Sequence, residues 1–276
     1  REVVQAVKSR QAALRAMPKA EAPPGFLASL KSFEGRLHWH CHFMQRLESA
    51  PEIEFQNLNR GFDGLRESDF DPIKFNAWRQ GETGYPMVDA CMRMLAETGW
   101  LNFRMRAMAV SFASYHLWLH WRETALHLAR EFLDYEPGIH YSQVQMQSGV
   151  TGINAVRIYN PVKQARDQDP DGLFVRRWIP PLANVPDDYI FEPWKMPPEI
   201  QSRSGCMLGE EYPLPIVKNE EVARAAKIRI AVVRKKVEVK NESTRVFQKH
   251  GSRKRSNSRS GGSARADSVI QLQLDL

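Results

Sequence analysis

The sequence predicts an all-α protein, and three observations carry that expectation. Apolar residues recur at three- and seven-residue spacings, as at positions 27, 30, 37, 44 and 47, which places them on one helical face. Prolines stand where helices would start and glycines where they would stop, as in the pairs Pro72/Gly81 and Pro86/Gly99. The chain shows neither an alternating apolar–polar run nor an internal repeat.

The elements follow in order. Residues 2–17 carry a helical stripe of Val3, Val4, Val7, Ala13, Leu14 and Met17, broken by Ala22-Pro23-Pro24-Gly25. A second helix runs from Phe26 to about Glu48. A loop over 50–71 contains Gly61 and Gly64. Pro72 opens a short helix that ends near Gly81. After the turn Gly84-Tyr85-Pro86, another helix runs to Gly99. Residues 101–121 read as the most apolar helix, with Ser111 the one polar residue between Ala107 and Ala113, so it is expected at the centre. A helix over 123–134 follows. Gly138, Gly149 and Gly152 mark an irregular stretch. Asn160-Pro161 opens a short helix, Asp169-Pro170-Asp171-Gly172 is a turn, and the prolines from Pro180 to Pro198 make a loop-rich section. A last amphipathic helix is expected from about Asn219 to Val237.

Composition narrows the function classes. The 276 residues are 42% hydrophobic and 26% charged, as in a soluble globular protein with a sizeable core. No window approaches about 18 uninterrupted apolar residues, so no membrane-spanning helix is expected. Cys41, Cys91 and Cys206 lie far apart, which suits a reducing compartment and a cytoplasmic location. The opening Arg1-Glu2-Val3-Val4 reads as the interior of a longer chain, so a fragment is expected.

The net charge of +7 is unevenly spread. Residues 227–266 hold 13 of the 39 Lys and Arg against Glu238 and Glu242, a local net charge of +11 that leaves −4 for the rest. The division expected is therefore a helical domain over 1–239 and a basic, mostly disordered tail over 240–276. The tail reads equally as a solubilising segment and as a salt-sensitive phosphate-binding arm.

Common catalytic motifs are missing. The chain has no phosphate-binding Gly-rich loop and no Gly-x-Ser-x-Gly elbow. His38, His40 and His42 alternate, and His116/His120 sit four apart, but no Glu or Cys pattern completes a metal site, and none is expected. More informative are Arg104 and Arg106, which lead into the apolar 101–121 segment and need partners there. Asp134 and Glu136, beyond the next helix, are placed to return to them. Such a pairing reads either as a structural ion pair or as a grip on a planar polar ligand in an apolar cavity.

The run Gly81-Glu82-Thr83-Gly84-Tyr85-Pro86-Met87-Val88-Asp89-Ala90, then Met92-Arg93 and Thr98-Gly99-Trp100, resembles the FAD-binding domain of the photolyase/cryptochrome family. Arg157 to Gln164, Asp169 to Gly172, Arg176 to Pro180 and Glu192-Pro193-Trp194 continue the resemblance in order, over roughly residues 1–235. It implies a multi-helix domain around FAD, here without the family's N-terminal α/β antenna domain and without the Thr/Ser-rich phosphate loop upstream. An antenna chromophore would belong only to a longer parent chain.

Residue by residue, the resemblance implies that Arg106 and Asp134 flank the isoalloxazine, with Trp100 a pocket aromatic and Glu136 a second acidic position. His140 would face flavin N5, where a titrating imidazole would make the site pH-sensitive. On the lesion-facing helix of dimer-repair enzymes, which carries Glu-x-x-Trp-Arg, this chain has Arg36, Trp39 and His40; Phe103 replaces the lesion-contacting Asn and Met146 a stacking Trp. Of the three-tryptophan electron relay only Trp121 remains, with Val144 and Ser68 at the inner and outer positions; Trp118 is a candidate for a rerouted path. The implied function is light-driven electron transfer from reduced FAD to a pyrimidine dimer in DNA, a carbon–carbon lyase reaction, by a monomer that binds damaged DNA. The rivals are a blue-light sensor without repair and a helical fragment without flavin.

Overall fold

The computed structural model describes residues 1–18, 21 and 23–250. Among them are twelve α-helices and no β-strand, only an isolated bridge between Leu208 and Tyr212. None of the helices is long and apolar enough to cross a membrane.

Local chemistry fixes most helix ends. Helix α1 spans Glu2–Ala16 and α2 spans Phe26–Ser49. Pro72 and Pro86 occupy the first turns of α3 (Pro72–Gln80) and α4 (Pro86–Thr98), where a missing N–H costs nothing. Asp71 caps α3 by accepting from the amides of Ile73 and Lys74. Gly99 ends α4 at φ 69°; a Cβ there would lie 2.5 Å from Leu133 Cγ, so the position requires glycine twice over.

The apolar 101–121 segment is not one helix. Helix α5 covers Phe103–Ser111, a π-helical turn follows over Phe112–His116, and the chain reverses before α6, Trp121–Glu131. The reversal passes through Trp118 at φ 58°, the one non-glycine among the described residues with positive φ. Its strain is held by packing: the Arg66 guanidinium lies 4.4 Å from the Trp118 ring and Arg229 4.8 Å, and Trp118 donates its indole N–H to Asp69 at 3.0 Å.

The stretch expected to be irregular contains helix α7, Pro137–Gln147. Gly138 lies in its first turn and Gly149 beyond its end, so neither interrupts it. A Cβ on Gly138 would approach Met44 Cε at 2.6 Å and Phe43 O at 2.7 Å, which shows how closely α2 crosses α7. Helices α8 (Pro161–Gln168), α9 (Leu173–Trp178) and α10 (Pro198–Ser204) punctuate the proline-rich section.

Helix α11 runs from Asn219 to Arg234, ending before Val237. A further helix, α12, spans Val237–His250 and contains the boundary expected between residues 239 and 240; Val239, Val246 and His250 are buried along it. The low-complexity Ser/Gly/Arg run from Gly251 onward lies outside the described residues. The main core gathers α3, α4, α5 and α6 around Trp78, Trp121, Phe62 and Phe112, all nearly or fully inaccessible. Asp89, buried in α4, accepts from Thr83 (amide and hydroxyl), the Gly84 amide and the Tyr212 hydroxyl at 2.6–3.0 Å, tying the 208–217 loop to the core.

Candidate functional site

Three segments meet around a cleft: the start of α5, the 132–136 loop after α6, and α7. Asn102 caps α5 by accepting from the Met105 amide at 3.0 Å, which fixes the first turn and therefore Arg106. Arg106 donates from Nε to Leu101 O at 2.6 Å and from Nη2 to both oxygens of Asp134 at 3.0 and 2.9 Å. Its guanidinium lies 4.0 Å from the Phe132 ring centroid. The 132–136 loop is pinned to the end of α4 by Leu133 N–H donating to Gly99 O at 3.0 Å. Arg106 is thus immobilised by three contacts, while its Nη1 has no hydrogen-bond partner among the described residues. Arg104, by contrast, is exposed and carries no part of the site.

The cleft has a volume of about 170 Å³. Phe103, Val110, Leu128, Phe132, Ile139 and Val144 give it apolar walls; Arg106, Asp134, Glu136, His140 and Gln143 give it a polar edge. Gln143 Oε1 is buried there without a hydrogen-bond partner, an acceptor waiting for a donor. His140 bonds through Nε2 to Ala125 O at 2.9 Å. A carbonyl only accepts, so Nε2 carries the proton and neutral His140 leaves a lone pair on Nδ1. Burial pushes the His140 pKa down to about 4, opposed by the Ala125 bond and aided by nearby Arg106. Burial therefore favours the neutral form of His140, against the expectation of an imidazole that titrates near neutrality.

Of the residues singled out from sequence, Phe103, Arg106, Asp134, Glu136 and His140 line the cleft together. His40 reaches it indirectly, with Nε2 3.5 Å from Glu136 Oε2. Arg36, Trp39 and Trp100 are not among the cleft walls: Arg36 is exposed, Trp39 packs on its own helix against His42 and Phe43, and Trp100 is half exposed at the approach to α5. Trp121 lies beneath, fully buried, donating to Asn57 Oδ1 at 2.7 Å. Sequence reasoning missed Tyr135, Gln143 and Gln147. The spacing 140, 143, 144, 147 is one helical face, a signal hidden once 138–152 was read as irregular. His116 bonds Asn219 at 2.8 Å and stacks on Phe112, engaged in packing. No group of three potential metal ligands occurs among the described residues.

A slot with apolar faces, a fixed guanidinium and two unpaired acceptors fits a flat heteroaromatic ring with a polar edge, as the isoalloxazine of FAD is. Comparison with known proteins gives the same cofactor for the domain as a whole. Residues 33–231 match the family model described as the FAD binding domain of DNA photolyase. A deoxyribodipyrimidine photo-lyase of Alkalihalophilus pseudofirmus is 36% identical over 201 residues, covering 72% of this chain and 42% of that protein. Cryptochrome DASH of Gloeobacter violaceus is 40% identical over 159 residues, covering 57% and 31%. The crystal structure of a class III photolyase from Agrobacterium tumefaciens superposes with a TM-score of 0.71 at 30% identity, covering 82% of this chain and 46% of that one. The chain thus spans less than half the length of these relatives. The cofactor of the matched domain is FAD. The chain belongs to the photolyase/cryptochrome family and carries its helical FAD-binding domain.

Proposed function

We propose that this domain serves light-driven electron transfer from reduced FAD to a pyrimidine dimer in DNA, acting as a monomer in the cytoplasm. The observation that carries the reading is the Arg106–Asp134 pair, held at the polar edge of an apolar cleft. FAD, when bound, supplies the light-absorbing one-electron donor. Arg106 places a cation where negative charge on the ring's polar edge is stabilised, and Asp134 fixes its direction. Gln143 Oε1 and His140 Nδ1 are the acceptors that would be available to ring N–H groups. Phe132, Leu128 and Val144 exclude water and keep the local dielectric low.

A second reading, blue-light sensing without repair, is favoured by one specific observation. Phe103 lies at the cleft wall where the resemblance places a lesion-contacting Asn, and Arg36 and His40 replace the acidic and basic lesion contacts. The relatives include proteins named photolyases and proteins named cryptochromes. An oligonucleotide carrying a single thymine dimer, incubated with FAD-loaded protein in blue light and in darkness, separates the two. Light-dependent loss of the dimer supports repair. Photoreduction of FAD with the dimer intact supports sensing.

A further inference from the structure

Helix α11 leaves one face without a partner among the described residues. Its inner side is committed: Ala226 and Ile230 are buried, Arg229 lies against Trp118, and Arg234 donates to Asn154 O. On the outer side Ile228 and Val232 are 59% and 58% exposed and stand one helical turn apart. Arg224, Lys227, Lys235 and Lys236 flank them, all exposed. None of these four cations forms an ion pair among the described residues, and the two carboxylates at the head of the helix, Glu220 and Glu221, are bonded to Asn219 and Lys218. An apolar pair flanked by unpaired cations is complementary to a segment that is both apolar and acidic.

This chain contains such a segment, outside the described residues. Residues 266–276 include Val269, Ile270, Leu272, Leu274 and Leu276, together with Asp267 and Asp275, and have no Lys or Arg. From Ile270 onward apolar and polar residues alternate, which corrects the expectation of a chain without such a run. Laid out as a strand, Ile270, Leu272, Leu274 and Leu276 fall on one side at steps of about 6.6 Å. Ile228 and Val232 are set about 6 Å apart along the α11 axis, so two successive members of that side meet them in register. Reach is sufficient. The length of α12 and the stretch from Ile228 to Val237 put the end of α12 no more than about 40 Å from Ile228. Residues 251–265 can span up to about 50 Å.

We propose that residues 266–276 dock on the outer face of α11 in their own chain, with leucines against Ile228 and Val232 and with Asp267 and Asp275 among the flanking cations. Apolar contact supplies the affinity, and the charges set the direction in which the segment lies. The basic run 251–265 is then a loop held at both ends rather than a free arm.

The test uses the full chain. An equal mixture of nitrogen-14 and nitrogen-15 chains is treated with a carbodiimide, which joins a carboxylate to an amine without a spacer, and the linked peptides are identified by mass. Docking predicts links from Asp267 or Asp275 to Lys227, Lys235 or Lys236 within a single chain. Nitrogen-15 relaxation is expected to give backbone order parameters above about 0.6 for residues 270–276. The double variant Ile228→Asp/Val232→Asp, at exposed positions, is expected to weaken docking by about tenfold or more, read as a fall in link yield. Its order parameters are expected to drop below about 0.6. Leu272→Asp/Leu274→Asp alters the segment alone and is expected to give the same loss, so it decides should the α11 variant fail to fold. Links that join light to heavy chains assign the face to a second copy and overturn the proposal. Low order parameters in wild type overturn it, as do links that persist in both variants. A segment that becomes ordered only when duplex DNA or another protein is added overturns it as well.

Discussion

Replacing Asp134 by Asn separates two accounts of its bond to Arg106. If the pair is a strut for the fold, the substitution costs stability; if it aims a cation at the ligand, the cost falls on binding. The geometry favours the second. The Arg106 and Asp134 side chains are 25% and 52% exposed, and pairs so open to water contribute about 0.2–1 kcal/mol. Arg106 also keeps its bond to Leu101 O and its stack on Phe132 in the variant. The FAD-free chain should therefore lose no more than ~1 kcal/mol, a shift of roughly 2–4 °C in its midpoint. Binding is different, because a charge-assisted hydrogen bond that loses its direction costs about 1.5–3 kcal/mol. That corresponds to a roughly 10- to 150-fold weaker Kd for FAD. Urea unfolding without flavin and fluorescence titration with FAD measure the two quantities separately. A loss above ~3 kcal/mol in stability with an unchanged Kd would falsify the assignment.

Four further outcomes follow from other buried contacts. His140 and His116 are both held near about 4 by burial, below the 6.5 of a free imidazole; the unfolded chain binds protons the folded chain refuses between those values. Stability from each is complete above pH 6.5, declines as pH falls through 4, and totals about 3 kcal/mol. Comparing wild type with His140→Asn across that window isolates one imidazole, since Asp89, raised to about 6 by burial, titrates with opposite sign in both proteins and cancels; parallel stability curves would refute it. Nitrogen-15 shifts should report Nε2–H on neutral His140 from pH 5 to 8, and a transition inside that range would contradict the burial argument. Each Asp89 oxygen accepts from two donors, so Asp89→Asn turns an amide NH₂ toward two of the four and should cost at least about 2 kcal/mol in urea unfolding. Gly138→Ala forces α2 away from α7 and should cost roughly 1–3 kcal/mol; a wild-type midpoint would show that the 2.7 Å approach to Phe43 O relaxes freely.

The features legible in the sequence are those set by local chemistry. Pro72, Pro86 and Asn160-Pro161 announce helix starts because a fixed φ and a side-chain cap act within one turn. The break at 112–120 had no such announcement: no Gly or Pro stands there, and the left-handed Trp118 is stabilised by Arg66 and Arg229, which are distant in sequence. Helix α7 was hidden by glycines that serve close packing and termination rather than disorder. Helix α12 was hidden by its Lys and Arg content, although Val239 and Val246 repeat at seven residues on its buried face. Arg106 and Asp134 stood out because charges beside apolar helices need partners. Gln143 did not, because an isolated glutamine gains meaning only once the helix beneath it is known.

The most direct test of the central assignment is a crystal structure of this chain grown with FAD. The account predicts the isoalloxazine between Phe132 and Val144, its polar edge within hydrogen-bond distance of Arg106, and Arg106 still bound to Asp134. A flavin ring seated elsewhere on the chain, with the Arg106–Asp134 cleft left to solvent or closed by side chains, would contradict it.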